Sequence, residues 1–184
     1  MPRSSRATTT ETSLRAFDQR EAEAVAGWIN GDDEAYRIAP RTPPPLDAGA
    51  IRSWRSPTHH QFMLIHCATG SPIGYGEVNL LNAQRREYWL GHLVIDPALR
   101  GRGYGTALTR RLLEFAFVRC KASAATLVVF QNNDPAIRSY RAAGMVDDGF
   151  EQHYFPAYGR QESLLRLRCT QWNPVRASAA ASSP

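Results

Sequence analysis

Apolar and polar residues recur along this chain with two periods, one typical of strands and one typical of helices. Runs rich in Val, Ile, Leu, Phe and Tyr, separated by turn segments such as TGSP and NAQRR, predict strands. The predicted strands are TSLRAF (12–17), HQFMLIHCA (60–68), IGYGEVNLL (73–81), EYWLGHLVID (87–96), AATLVVF (124–130), MVDDGFEQHYF (145–155) and RQESLLRLRC (160–169).

Helical spacing appears between these runs, with end signals that set the boundaries. The predicted helices are 18–31, capped by Asp18; 47–54, capped by Asp47; 103–115; and 134–144, with Pro135 in the first turn and Gly144 just past the end. The mixed order of strands and helices predicts an α/β fold of the α+β mixed-sheet type. We expect one sheet of six or seven strands and about four helices.

Composition indicates a single globular domain within the 184 residues. Residues 1–12 and 171–184 are small and polar and predict disordered tails, which leaves 13–170 as the domain. A net charge of +5 is too small for a dedicated nucleic-acid binder. The odd number of cysteines, the lack of an apolar leader and the lack of a membrane-spanning run predict a cytoplasmic protein that does not bind membranes.

A cluster of glycines follows the strand residues LVID, in the sequence Arg100-Gly101-Arg102-Gly103-Tyr104-Gly105. Successive backbone N–H groups at a helix N-terminus bind anions, and the helix dipole favours negative charge there. Thr106 stands where a dinucleotide-binding loop has its third glycine, and the G-K-[ST] of a P-loop is absent. The pattern favours a pyrophosphate site, the alternative being a tight turn that binds nothing.

A second motif, N-x-x-A-x-x-x-Y-x-x-x-G, is matched in full by Asn133, Ala136, Tyr140 and Gly144. The glycine loop fits [Q/R]-x-x-G-x-[G/A], and with both motifs present the sequence resembles the GCN5-related N-acetyltransferase superfamily. Met145 replaces the phenylalanine usual after the last glycine. The resemblance is specific over about residues 90–149, and it is weaker over the preceding part of the chain, from residue 13 onward.

The resemblance implies acetyl-CoA as co-substrate. The glycine loop would wrap the pyrophosphate. The sheet would open between the strands HLVID and TLVVF, and the first of these would offer its free backbone groups to the amides of the pantetheine arm, as an added strand would. The implied cofactor-binding residues are Leu93, Val94, Ile95, Arg100, Gly101, Arg102, Gly103, Tyr104, Gly105, Thr106 and Asn133.

In such enzymes an amine attacks the thioester directly, so one group removes a proton from the amine and another protonates the leaving thiolate. Tyr140 matches the family's proton donor, the alternative being a core tyrosine. Some relatives carry a glutamate base at the position of Val128, so that role is not transferred here. Glu77 is our candidate base, or else a solvent-facing strand residue. Glu87, His92 and water are weaker alternatives.

The implied acceptor is a primary amine, either of a small molecule or of a protein N-terminus. Removing a proton at pH 7 costs roughly 4–5 kcal/mol for a lysine side chain but only about 1–1.4 kcal/mol for an α-amine. A site without a strong base therefore suits an α-amine or another weakly basic amine. Candidate walls of the acceptor site are Trp28, Tyr36, Trp54 and the loop IAPRTPPPL (38–46).

Other kinds of site and function are less well supported by the residues. The histidines lack the spacing of metal ligands, so we predict no metal. A non-catalytic acyl-CoA-binding module stays open, because Val128 replaces the glutamate. An RNA-binding RGG-like element is disfavoured, because the glycines lie between a strand and a helix. Homodimerisation is left open. The histidines in question are His59, His60, His66 and His92.

Overall fold

One mixed sheet forms the centre of the protein in a computed structural model that describes residues 11–173. Its strands are β1 (Thr12–Ala16), β2 (His59–His66), β3 (Ser71–Asn82), β4 (Glu87–Ile95), β5 (Ala124–Phe130), β6 (Val146–Phe155) and β7 (Arg160–Cys169). The α-helices of the described residues are α1 (Ala22–Gly27), α2 (Gly31–Ile38), α3 (Ala48–Ser53), α4 (Tyr104–Glu114) and α5 (Asp134–Ala142). The strand order is β1-β2-β3-β4-β5-β7-β6, which confirms the predicted mixed sheet.

The sheet opens between its two central strands. β4 and β5 run parallel and pair only from Glu87 opposite Ala124 to Trp89 opposite Thr126. Beyond Trp89 the two strands separate, so the second half of β4 keeps its backbone bonds to β3 alone. This confirms the predicted opening and leaves one edge of β4 free to pair with a ligand.

Two helical layers cover opposite faces of the sheet. On one face α4 buries Leu108, Leu112 and Leu113 against the strands, and α5 packs beside α4. On the other face α1 and α3 enclose a second core that includes Trp54 and Tyr75. The first core includes Leu90 of β4 and Leu127 of β5, so it supports both sides of the opening.

Gly76 on β3 is a point of close packing between the sheet and α4. A Cβ at Gly76 would lie 2.8 Å from Leu112 Cδ1 and 3.5 Å from both methyl groups of Leu108. Leu108 and Leu112 are fully buried, so they cannot yield without disturbing the core. We expect Gly76→Ala to lower the free energy of unfolding by about 1–3 kcal/mol in urea titrations.

Gly27→Ala is the matched control for that stability prediction. Gly27 ends α1, and an added Cβ there meets nothing within 4 Å. Alanine favours the helix, so this variant should be neutral or more stable. Equal stability of the two variants would show that the α4 leucines readily make room.

The structure corrects the predicted boundaries in the N-terminal region. Gly31 was predicted to end a helix but instead begins α2, with a φ of +72°. The chain therefore has five α-helices among residues 11–173, against about four expected. Asp18 and Asp47 accept backbone N–H bonds as predicted caps. The predicted tails 1–12 and 171–184 lie mostly outside the described residues, but Thr12 belongs to β1 and is buried.

None of the helices that the structure describes is both long enough and apolar enough to span a membrane. The cysteines of residues 11–173 are all free thiols: Cys67 is exposed, Cys120 half-buried and Cys169 buried.

Candidate active site

A cleft of about 1520 Å³ occupies the opening between β4 and β5. Its lining includes the glycine loop at the start of α4, the cleft side of α5, the separated part of β4, and the edge of α2. The two motifs singled out in the sequence therefore line one cavity, although they come from different helices.

The glycine loop has the backbone conformation of an anion-binding loop. Gly101 has a φ of +75° and Gly103 a φ of +84°, a left-handed region that disfavours side chains. Gly103 is the N-cap of α4, and no side chain caps that helix end. The first N–H groups of α4 are thus available to a ligand at the positive end of the helix dipole.

Other residues of the loop take part through packing or the backbone. Gly105 lies against α5, where a Cβ would be 3.1 Å from Ser139 Oγ. The ring of Tyr104 is buried in the core, so only its backbone faces the loop. Thr106 lines the cleft, and Arg102 is exposed.

Arg100 is already engaged by the protein. Its guanidinium donates to the carbonyl of Ile95 at 3.0 Å and to that of Trp28 at 2.8 Å. It also forms an ion pair with Glu34 Oε1 at 2.6 Å. These bonds tie α1 and α2 to the loop, and Arg100 also lines the cleft, so its role in cofactor binding stays a prediction. Arg102 is the loop cation that stays exposed.

The separated part of β4 contributes mainly backbone. Val94 is buried in the core, and Leu93 and Ile95 pack partly against it. Val94 and Ile95 remain paired with Tyr75 and Gly74 of β3 on one side. The other side faces the cleft, where a ligand amide could complete the ladder.

On the opposite wall, α5 carries Asn133 and Tyr140. Asn133 caps α5, its Oδ1 accepting from Ala136 N at 3.4 Å, so only its amide N–H₂ is left for a ligand. Tyr140 lies about two turns further and is half-buried at the cleft. Burial raises the pKa of Tyr140 to about 12, so the phenol is neutral at physiological pH. Within residues 11–173 its hydroxyl has no hydrogen-bond partner.

Glu77 is fully buried, in contrast to the solvent-facing alternative. Its carboxylate accepts from Tyr75 Oη at 2.5 Å, Gln61 Nε2 at 3.2 Å and Asn79 Nδ2 at 2.9 Å. Burial raises the pKa of Glu77, but the bond and charge of His92, with Asn79 and Tyr75, outweigh it and lower that pKa. The assignment of Glu77 as the base stays a prediction; because Glu77 is 0% exposed, it would have to act through a neighbouring group that reaches the cleft.

His92 stands between Glu77 and the cleft. Its Nδ1 lies 3.1 Å from Glu77 Oε2, an ion-pair distance, although the N–H does not point straight at that oxygen. The imidazole stacks on the Trp54 ring with 3.7 Å between centroids and 9° between planes. The residue has a φ of +47° and lines the cleft.

The predicted aromatic walls are largely core residues. Tyr36 is buried with Phe130 and Phe155 and donates to Glu162, and Trp54 is buried beneath His92. Trp28 packs partly against the second core. Of the loop 38–46, its first four residues do line the cleft.

Several charged side chains form ion pairs in the cleft lining, and two of them, Arg166 and Arg168 on β7, were not singled out from the sequence. Arg166 pairs with Glu151 at 2.9 Å, and Arg168 pairs with Glu87 at 3.2 Å. Arg41 approaches His153 Nδ1 at 3.1 Å. Alternate residues of β7 share one sheet face, a signal from which Arg166 and Arg168 could have been predicted together. Across residues 11–173, no three His, Cys, Asp or Glu side chains group as metal ligands.

Known proteins resemble the chain over most of its length. The profile of the acetyltransferase (GNAT) family matches residues 23–145. The N-alpha-acetyltransferase RimI of Mycobacterium tuberculosis is 30% identical over 153 residues, covering 83% of this chain and 87% of that protein. The L-amino acid N-acetyltransferase AaaT of Escherichia coli is 24% identical over 148 residues, or 78% of this chain and 88% of that protein.

Two further matches differ in extent. An uncharacterized protein of Mycobacterium leprae is 36% identical over 95 residues, which are 51% of this chain but only 25% of that protein. The crystal structure of spermidine N-acetyltransferase from Vibrio cholerae, in complex with CoA and spermine, gives a TM-score of 0.72 at 20% identity. That superposition covers 87% of this chain and 95% of the other, and it establishes a common fold.

Proposed function

The chain belongs to the acetyltransferase (GNAT) family, and we propose that it transfers the acetyl group of acetyl-CoA to a primary amine by direct attack. The observation that carries the proposal is the convergence of three parts on one cleft. These are an anion-binding loop, a strand edge free to pair with pantetheine, and the neutral phenol of Tyr140.

The cofactor fits these parts in one orientation. Its pyrophosphate would lie against the N–H groups of Gly103, Gly105 and Thr106, and Arg102 would add charge. Its pantetheine amides would pair with residues 93–95 of β4, and Asn133 would donate from α5. The thioester would then lie near the point where β4 and β5 separate, within the cleft that Tyr140 lines.

In the reaction, the amine nitrogen attacks the thioester carbonyl, the N–C bond forms and the C–S bond breaks. The amine loses one proton, and the thiolate of CoA gains one. Tyr140 would donate that second proton, or a hydrogen bond as charge develops on sulfur. The raised pKa of Tyr140 keeps the phenol protonated but makes it a weaker acid, so a hydrogen bond to the developing thiolate fits Tyr140 better than complete proton transfer.

For the acceptor, we propose an α-amine, of an amino acid derivative or a protein N-terminus. Its lower pKa makes deprotonation cheaper than for a lysine side chain. RimI of Mycobacterium tuberculosis and AaaT of Escherichia coli, which the chain resembles, are named for N-alpha and L-amino acid acetylation. We further propose a cytoplasmic location, since a reducing compartment preserves free thiols such as Cys67, Cys120 and Cys169.

The test is the release of free thiol from acetyl-CoA with a matched pair of lysine derivatives. One has a free α-amine and a blocked ε-amine, and the other has the reverse. We expect amine-dependent thiol release with both, and a higher kcat/KM for the free α-amine. A preference for the ε-amine would overturn the acceptor assignment. Tight acetyl-CoA binding without thiol release across α-amines, polyamines and aminoglycosides would indicate a silent CoA-binding module.

A further inference from the structure

We propose that His92 is the general base of this site and that buried Glu77 is its positioning residue, together forming a Glu–His dyad. The proposal rests on the amine acetylation proposed above. Glu77 itself is sealed from the cleft, whereas the imidazole of His92 lines it and contacts that carboxylate.

The backbone at His92 is built to bring this side chain to the cleft. Leu90 and Val94 both pack in the core on the α4 side, so regular alternation would turn residue 92 toward the same core. His92 instead has a left-handed φ of +47°, where the β3–β4 register shifts. Such a bulge re-aims a side chain, and here it places His92 against Glu77 and Trp54 on the opposite face.

His92 differs in its location from the other non-glycine residues that have a left-handed φ. Across residues 11–173 the residues with such a φ are Arg86, His92 and Lys121, and Arg86 and Lys121 lie between secondary-structure elements. His92 is in the interior of a strand, where such a conformation is costly and must be imposed by its surroundings. Strained residues of this kind cluster at functional sites.

The surroundings of Glu77 favour its ionised form beside His92. Two of its contacts, Tyr75 Oη and Asn79 Nδ2, donate to the carboxylate from the same strand, and Gln61 donates from β2. The backbone of Gly91 lies beside the carboxylate, and a Cβ at Gly91 would be in ordinary contact with Glu77 Oε2, at 3.6 Å. A buried carboxylate with this many donors favours a positive charge beside it, and His92 is the group in that place.

The geometry also assigns the two ring nitrogens. Nδ1 of His92 is buried and lies 3.1 Å from Glu77 Oε2, without a hydrogen bond at the present ring orientation; a small ring rotation would let an Nδ1–H donate to that carboxylate, so we place the proton on Nδ1. Nε2 then has the free lone pair, and it belongs to the part of the ring not enclosed by Glu77. The stack on Trp54 fixes the plane of the imidazole ring.

The step balances with the reaction already described. As the amine nitrogen bonds to the thioester carbon, its N–H proton passes to Nε2 of His92 and gives an imidazolium. Glu77 stabilises this cation but stays ionised, and the imidazolium later releases the proton to solvent. The thiolate leaves and is protonated separately, on the α5 side.

Several ionisable groups lie close to the Glu77–His92 pair or line the same cleft as His92. They are Tyr75 and Glu77 on β3, His59 on β2, which contacts the Trp54 carbonyl at 2.9 Å, and Asp33, Glu34 and Arg37 on α2, which line the cleft. Glu77 is the one that contacts the imidazole directly. The pH dependence of the reaction should therefore respond to Glu77 first.

The experiment compares His92→Gln and Glu77→Gln with His60→Gln, an exposed histidine outside the cleft lining. The acceptor is a fluorinated primary amine that is neutral over the assayed pH range, so an acidic limb of kcat/KM reports the enzyme alone. We expect His92→Gln to lose about 10²-fold in kcat/KM at pH 7 and to lose the acidic limb. His60→Gln should keep both.

Glu77→Gln separates positioning from mere structural support. Loss of its negative charge disfavours the imidazolium, so the acidic limb should move to lower pH, with a loss of about tenfold in kcat/KM. A purely structural role would lower the rate without moving the limb. If Glu77→Gln does not fold, ¹⁵N NMR of the wild type replaces it, and the Nδ1–H tautomer of His92 is the expected result.

The proposal is overturned if His92→Gln keeps wild-type kcat/KM and its acidic limb, or if NMR finds the Nε2–H tautomer. The wild-type protein is assayed with an α-amine under the same conditions. If it turns over, a failure of the proposal for His92 is distinguished from a failure of the proposed acetyl transfer. Acetyl-CoA affinity and melting temperature should stay unchanged in His92→Gln.

Discussion

Gly103→Asp should abolish acetyl-CoA binding. An aspartate at the N-cap of α4 would place a carboxylate among the N–H groups that we assign to the pyrophosphate. It would accept those N–H bonds itself and repel the phosphates. Juxtaposed like charges cost several kcal/mol, so affinity measured by calorimetry should fall by about 10³-fold or more.

Gly70→Asp is the matched control for this result. Gly70 has a φ of +69°, close to the +84° of Gly103, and at both positions a Cβ meets nothing within 4 Å. The two variants share the backbone cost and the added charge, but Gly70 lies in the turn between β2 and β3. Gly103→Asn separates charge from bulk. Near-wild-type affinity in folded Gly103→Asp would show that the loop is merely a turn.

The sequence was sufficient to predict the glycine loop and the helices that follow it and carry Tyr140, since the relevant signals are local. The left-handed φ values of Gly101, Gly103 and Gly144 follow from the turns and helix ends that glycine serves. The opening of the sheet was also predicted, from the family resemblance. By contrast α2 was missed, because Gly31 was interpreted as a helix end. The Asn30 N–H bond to Glu34 Oε2 that supports its first turn is not a strong sequence signal.

The acceptor half depends on register, which residue patterns do not supply. The turn at NAQRR brings β3 and β4 together, and Glu77 pairs with Gly91, next to His92. Only the bulge turns His92 toward Glu77, and Gly91 beside it in the strand is the one sequence signal that could have indicated a bulge there. The partners of Arg100 could not be predicted for a similar reason, because Trp28 and Glu34 come from a distant part of the chain.

Tyr140→Phe should slow chemistry and leave cofactor affinity unchanged. The phenol has no hydrogen-bond partner within residues 11–173, so its removal costs the folded protein little, and phenylalanine keeps the ring packed against the core. A bond to the sulfur strengthens only as negative charge develops, so it stabilises the transition state more than the bound thioester. We therefore expect kcat and kcat/KM to fall together by about 10–10³-fold.

Tyr154→Phe is the control for that variant, since Tyr154 is 60% exposed on the edge strand β6 and outside the cleft lining. It should keep full activity.

The raised pKa of Tyr140, about 12, adds a second expectation. The neutral phenol persists as pH rises through the physiological range and is lost only near that value. Wild-type kcat should therefore show no basic limb from Tyr140 below a pH of about 10.

Unchanged turnover in Tyr140→Phe, with chemistry shown to be rate-limiting by single-turnover kinetics, would make this tyrosine a core residue. The proton for the departing thiolate would then have to come from water.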